Sequence, residues 1–264
     1  MKVLYMQKLT ELFDTHAHLD FPEFADSIPV TVQRALEAGV TRIVTIGIDL
    51  ESSRKAAKIA GAFDHIYASV GIHPHAAFNL HARDLRALEK IAGERRVVAI
   101  GEIGLDYFRK RQSPRIQTQC MKSQIQVAVD TGKPVIFHVR DAWDDFFQIV
   151  SEFVPFIRPS VLHCFSGDWG VARRCLDLGF YLSIPGVITF PKAESLQDVV
   201  KRSPPDRLLV ETDSPYLAPV PYRGKTNEPA FVLYTAAKIA ECRKEPLDKV
   251  AAQTTQNARD VFGI

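Results

Sequence analysis

Eight short apolar runs, each followed by a stretch with helical periodicity, recur along the chain. The runs cover 12–19 (LFDTHAHL), 41–47, 66–74, 97–106, 133–140, 159–167, 180–186 and 206–215. Helical periodicity covers 27–39, closed by Gly39, and then 51–62, 83–92, 114–131, 141–151, 169–178, 194–201, 228–243 and 246–260. Near-continuous apolar strands alternating with helices imply a parallel sheet covered on both faces. Eight such units in about 250 residues predict a closed (β/α)8 barrel of the TIM type. The rival, an open doubly wound sheet, favours a GxGxxG turn after its first strand. LFDTHAHL is not followed by one. No low-complexity segment or charge block divides residues 1–264, so one barrel domain is expected. The proline-rich stretch 215–229 reads as a long loop after the eighth strand.

Composition narrows the setting. Thirty-three basic and 31 acidic residues leave a net charge of +2, which does not by itself announce a nucleic-acid binder. Cys120, Cys164, Cys175 and Cys242 form no CxxC pair, which argues for reduced thiols over a disulfide or zinc-knuckle framework. The opening MKVLYMQKLT lacks a leader's apolar run, and no later segment stays apolar for the about 18 residues of a membrane span. A soluble cytoplasmic protein is expected.

The ionisable residues gather where the strands end. His16 and His18 end the first run, His73 the third with His75 beside it, and Glu102 and Asp106 the fourth. His138 ends the fifth, His163 the sixth and Asp213 the eighth. In a barrel these ends converge on one rim, where the βα loops build the site. Strand alternation puts His16 and His18 on one face, able to hold one ion. Glu102 is placed to bridge two ions, with His138 and His163 completing the second site. Asp213 is placed to bind the first ion and to take a proton from water. Nitrogen and carboxylate donors suit zinc, manganese and related divalent ions.

Each piece alone has a plain alternative. A lone strand histidine is commonly a hydrogen-bonded core or surface group. Glu102 reads equally as a buried structural carboxylate, and Asp213 in ETDSP as a cap. Together they resist that reading, because burying so many ionisable groups unpaired is costly.

The motifs DTHAHLD (14–20), VGIHPH (70–75), AIGEIGLDY (99–107), PVIFHVRDA (134–142), LHCFSG (162–167), GFYLSIPG (179–186), LLVETDSPYL (208–217) and RGKTNEPA (223–230) run nearly the whole chain. In this set and order the chain resembles the TatD family of metal-dependent deoxyribonucleases, within the amidohydrolase-like barrels. The resemblance implies His16, His18, Glu102, His138, His163 and Asp213 as metal ligands, and His73 as a mouth residue facing the substrate phosphate. It also implies hydrolysis of DNA phosphodiester bonds, often from the 3′ end of single strands, with divalent ions.

Basic residues at the mouth fit a phosphate backbone: Arg109, Lys110 and Arg111, then Arg140, Lys192, Arg223 and Lys225. Arg140 can grip two phosphate oxygens, while Arg109 to Arg111 read equally as a solvated turn. Asp106, Tyr107, Arg223 and Asn227 join the candidate substrate contacts, the last two also as organisers of the long loop. Tyr107, Phe108 and Phe165 are candidate base-stacking rings, with core packing the alternative for Phe165. The expected function is a 3′–5′ exodeoxyribonuclease using two divalent ions (Mg, Mn or Zn), with Asp213, Glu102 and His73 catalytic. Its partner is single-stranded DNA, and neither a membrane nor an obligate protein partner is indicated. The alternatives are a small-molecule amidohydrolase or phosphoesterase, a D-aminoacyl-tRNA deacylase, and a non-catalytic metal-binding protein. Many barrels of the small-molecule type bridge their metals with a strand-four lysine, and here strand four offers Glu102 instead.

Overall fold

The computed structural model describes residues 11–24 and 27–264. The opening MKVLYMQKLT and the expectation attached to it lie outside them. Eight strands form one sheet in the order β1 to β8, every neighbouring pair parallel. They are β1 (Leu12–Ala17), β2 (Val40–Ile46), β3 (Ile66–Val70), β4 (Val97–Asp106), β5 (Val135–Arg140), β6 (Val161–Leu162), β7 (Tyr181–Ile184) and β8 (Leu208–Val210). The helices between them are α1 (Ile28–Glu37), α2 (Leu50–Ala62), α3 (Ala82–Ala92), α4 (Pro114–Thr131), α5 (Trp143–Phe153), α6 (Trp169–Asp177) and α7 (Glu194–Arg202). Then come α8 (Val232–Arg243) and α9 (Leu247–Phe262). The seam closes just beyond β8. Ala17 bridges Ser214, the His18 N–H donates to the Ser214 carbonyl (2.8 Å), and the Asp213 N–H donates to that of His16 (2.9 Å). The fold is a (β/α)8 barrel.

Local chemistry sets the helix ends. Asp49 caps α2 by accepting from the Ser52 N–H at 2.7 Å, and Ser52 returns the bond in a capping box. Pro114 opens α4 after the cap Ser113, and Gly132 closes it at φ 64°. Among the described residues no helix is long and apolar enough to cross a membrane.

Two apolar shells hold the barrel. Outside, the strands pack on the helices through residues such as Ile43, Val70, Ile100 and Leu162. Inside, at the lower end, Phe13, Val44, Ile46, Val98, Ile136, Val161, Tyr181 and Leu209 meet each other and the end of α9. Phe13 and Phe262 lie 6.0 Å apart there. Burying one such phenylalanine contributes about 2–3 kcal/mol.

The upper end is less regular. The β1–β2 register shifts between Asp14 and Ala17, and the β4–β5 register shifts between Ile100 and Ile103. Simple alternation therefore stops at the ligand positions. Thr15 bonds across the barrel to Ser183 Oγ (2.9 Å) and the Val210 carbonyl (3.0 Å). The next residue, His16, nevertheless turns its ring toward Glu102 and Asp213. Bulged strands re-aim side chains in this way. β4 approaches β5 so closely that a Cβ on Gly104 would lie 1.9 Å from the His138 carbonyl oxygen, and Gly104 has φ 149°. Glycine there lets Glu102 and His138 meet.

Candidate metal centre

The structure brings His16, His18, Glu102, His138, His163 and Asp213 into one cluster at the upper mouth. His16 and His18 leave β1, with ring centroids 5.1 Å apart. Glu102 and His138 lie within β4 and β5, and the last two ligand positions lie where pairing gives out. His163 follows the two-residue β6, and Asp213 lies beyond β8 with a left-handed backbone, φ 56°. Conformations of that kind persist only where the surroundings hold them.

Glu102 is the centre of the cluster, and its two oxygens face different partners. Oε2 lies 3.4 Å from His16 Nε2. Oε1 lies 2.8 Å from His138 Nδ1, 2.8 Å from His163 Nε2 and 3.2 Å from His73 Nε2. Asp213 Oδ1 lies 3.6 Å from His16 Nε2 and 3.4 Å from His18 Nε2. Three overlapping donor groups result: His16, His18 and Asp213; His16, Glu102 and His163; His73, Glu102 and His138. The donor atoms of each lie within 4.8 Å of one another.

Burial and opposite charge compete here. Burial opposes charge on Glu102, but His163, His73, His138 and His16 outweigh it and hold the carboxyl well below its usual range. Burial likewise opposes charge on His163, yet Glu102 and Glu211 raise it well above the ordinary histidine value. His18 and His138 are also raised against burial, by Asp213 and by Asp106 with Glu102 respectively. Burial opposes the charge of Asp213 too, and His18 and His16 keep it below the usual carboxylate range. Burial wins at His73, which falls to about 4.

These residues fit divalent ions. Both ring nitrogens of His16 and Nδ1 of His18 are buried without a hydrogen-bond partner. Buried nitrogens aimed at carboxylates are costly unless something binds between them. Imidazole and carboxylate are the donors such ions take.

A second set of residues holds the cluster from behind. Asp106 is buried and accepts from His75 Nε2 (2.7 Å), His138 Nε2 (3.2 Å) and the Arg109 N–H (2.7 Å). It therefore orients His138 and His75 and has little surface to offer a substrate. Glu211, which sequence reasoning missed, lies 3.5 Å behind His163 Nδ1 and accepts from the Cys164 N–H at 2.6 Å. ETDSP contains it, two residues before Asp213. Carboxylates behind histidines fix ring orientation and basicity.

The remaining candidates separate. Asn227 is fully buried, donating to the carbonyls of Thr212 (2.8 Å) and Tyr216 (2.6 Å) and accepting from the Glu228 N–H (3.0 Å). It orders the long loop and leaves no polar atom for a substrate. The Tyr107 hydroxyl donates to Asp145 at 2.6 Å. Phe165 is buried against Trp143 and is a core ring, so its base-stacking role falls away. Arg140 is exposed, its guanidinium 4.0 Å over the Phe108 ring. Arg223 is exposed over Phe190 at 4.5 Å. His73, expected to face a phosphate, instead turns Nε2 to Glu102, while its Nδ1 accepts from the His75 N–H at 3.0 Å.

With this geometry in place, comparison with known proteins becomes informative. The family model for TatD related DNase matches residues 13–263. The chain belongs to the TatD-related DNase family. It is 40% identical to the uncharacterized metal-dependent hydrolase YabD of Bacillus subtilis (strain 168), over 96% of this chain and 99% of that one. It is 34% identical to the 3′–5′ ssDNA/RNA exonuclease TatD of Klebsiella pneumoniae (strain 342), over 96% and 98%. The crystal structure of YJJV, a TatD homologue from Escherichia coli K12, superposes with a TM-score of 0.89 at 31% identity, covering 96% and 98%. As a TatD-related protein the chain is a metal-dependent hydrolase, and the histidine–carboxylate cluster is its candidate metal centre.

Proposed function

We propose that this hydrolase cleaves phosphodiester bonds of single-stranded DNA from the 3′ end, using two divalent ions. The observation that carries the two-ion reading is the division of Glu102, one oxygen toward His16 and the other toward His138 and His163. His16, His18, Asp213 and Glu102 Oε2 would hold one ion, and Glu102 Oε1, His138 and His163 the other. Bound there, Mg, Mn or Zn polarises the scissile phosphate and lowers the pKa of a water toward neutrality.

The chain's own residues do the rest. Asp213 stays ionised and keeps 13% of its side chain exposed, so it can take the proton of the attacking water. Its left-handed backbone, tied to the His16 carbonyl, fixes the direction of that carboxylate. His73 stays neutral at working pH, at the edge of the cluster, and its Nε2 holds Glu102 Oε1 at 3.2 Å. Arg140, its guanidinium plane set by Phe108, supplies a fork for the scissile phosphate. Similarity to an exonuclease of single-stranded DNA and RNA supports the substrate class. Four unpaired cysteines suit a reducing cytoplasm, with DNA degradation or repair as the setting.

The test is digestion of 3′-labelled and 5′-labelled single-stranded oligonucleotides by metal-stripped protein, with Mg, Mn or Zn restored and Glu102→Gln alongside. Metal-dependent shortening from the 3′ end, absent in the variant, is the expected result. Turnover of aminoacyl-tRNA or small esters with no oligonucleotide cleavage would move the substrate class elsewhere on the same metal centre.

A further inference from the structure

Two large aromatic rings stand exposed beside the ligand-bearing strands. Tyr216 is 52% exposed and Phe108 is 54% exposed. Leaving such rings in water forfeits burial, so their mounting is informative. Tyr216 is held rigidly. Its N–H donates to the Asp213 carbonyl (2.9 Å), and the Asn227 amide donates to its own carbonyl (2.6 Å). Phe21 stacks on His18 at 4.7 Å. The Tyr216 ring stands edge-on to both, 6.0 Å from Phe21 and 6.5 Å from His18. Phe108 follows β4 and carries Arg140 of β5 across one face.

In a barrel ordered β1 to β8, the β8/β1 seam and the β4/β5 pair are diametrically opposite. The two rings therefore flank the ligand cluster from opposite sides. Their surroundings differ in charge. On the β4/β5 side a cleft of about 660 Å³ is lined by Tyr107, Lys110, Arg111, the start of α4 and Asp106, whose carboxylate is already engaged by His75, His138 and the Arg109 N–H. Among the described residues no carboxylate side chain pairs with Arg109, Lys110, Arg111 or Arg140. On the Tyr216 side the exposed carboxylate Glu23 lies close enough to disfavour an ionised tyrosine, adding to the effect of burial. Against the four unpaired cations of the first flank, Arg223 and Lys225 in the Tyr216 loop are offset in part by Glu23, so a phosphate backbone is drawn more strongly to the first flank.

We infer that Tyr216 stacks the base of the terminal nucleotide. The chain end then lies at the β8/β1 seam, and the rest of the strand leaves over Phe108 and the basic cleft. This rests on the single-stranded DNA reading of the site. It goes further by fixing which flank holds the end. Stacking is tolerant of sequence because every base has a π face.

The experiment uses oligodeoxythymidylate carrying 2-aminopurine at the 3′-terminal position, and a matched strand with an abasic 3′ terminus. Stopped-flow fluorescence of the metal-loaded protein is read before the first turnover, and cleavage is read afterwards. The expected result is quenching of the terminal 2-aminopurine, with KM for the abasic end raised roughly 5- to 100-fold. Tyr216→Leu should abolish the quenching and treat both ends alike, and Tyr216→Phe should retain the quenching. Cleavage without terminal quenching, or equal KM for both ends in the wild type, overturns this inference and leaves the DNA reading standing. Absence of both binding and cleavage overturns the two together. The wild-type comparison of ends needs no variant, so a poorly folding Tyr216→Leu does not blunt the test.

Discussion

At the lower end of the barrel, Phe13, Val44, Ile136 and Leu209 form an apolar cluster with Phe262. At the upper end of the same strands, five histidines and two carboxylates crowd together, with neither ring nitrogen of His16 hydrogen-bonded. Below, the side chains pack apolar on apolar and their burial favours the folded state. Above, the registers shift, Cys164 and Asp213 sit at positive φ, and buried charge is offset only by neighbouring charge. The lower half supplies stability, and the upper half uses some of it to hold a geometry that folding alone would not choose.

The strongest way to break this contrast is at Glu102. Glu102→Gln keeps the volume and removes the charge shared by both halves of the cluster. It should lower kcat/KM by roughly 10³-fold or more. A variant retaining a tenth of the activity would place the chemistry elsewhere. The converse change is Phe13→Ala, which should cost about 3–5 kcal/mol in urea unfolding while the folded fraction keeps its metal affinity. If metal affinity falls with stability, the two ends are not separable. Glu211→Gln sharpens the picture from behind the cluster. It should weaken binding of the first Zn or Mn by roughly 10- to 100-fold in calorimetry. An unchanged affinity would make Glu211 a structural acceptor for Cys164 alone.

The smallest effect is graded with pH. In the metal-free protein His163, His138 and His18 are raised above the ordinary histidine value by their carboxylates, despite burial. A raised folded value stabilises below the unfolded value of about 6.5 and loses that contribution as pH rises through the folded value. Metal needs the same rings neutral, so its affinity rises over that interval. Melting temperatures with and without chelator should therefore diverge as pH rises from about 6.5. A constant gap would show that these histidines do not exchange protons for metal.

The barrel was legible because eight apolar runs and their helices are local patterns. So was the convergence of the ligand types, since strand ends share one rim whatever the details. Strand lengths were less so. The sixth and eighth runs read as long strands, yet β6 and β8 pair over Val161–Leu162 and Leu208–Val210 alone. The chain leaves the sheet there to present His163 and Asp213. Alternation also failed as the reason for the facing of His16, because a bulge sets it. The supporting residues were hidden for a different reason. Glu211 meets Cys164 across 47 residues and Gln117 holds the Asp106 backbone from α4. No local pattern in the chain encodes who will stand behind whom.

The loop that follows β8 closes on itself. Asn227 returns to Thr212, 15 residues earlier, and to Tyr216 on the way, while Glu228 pairs with Arg34 of α1. Its base is thus anchored there, its middle is tied by the Val220 N–H to Thr189 (2.9 Å) and by Tyr222 stacked on Phe231, and its tip, Arg223 to Thr226, is exposed. Such a segment behaves as an exchangeable cassette. Its tip can lengthen, shorten or change composition without transmitting strain to Asp213. A single buried amide thereby lets the reach of the mouth diversify among descendants while the reacting centre stays constant.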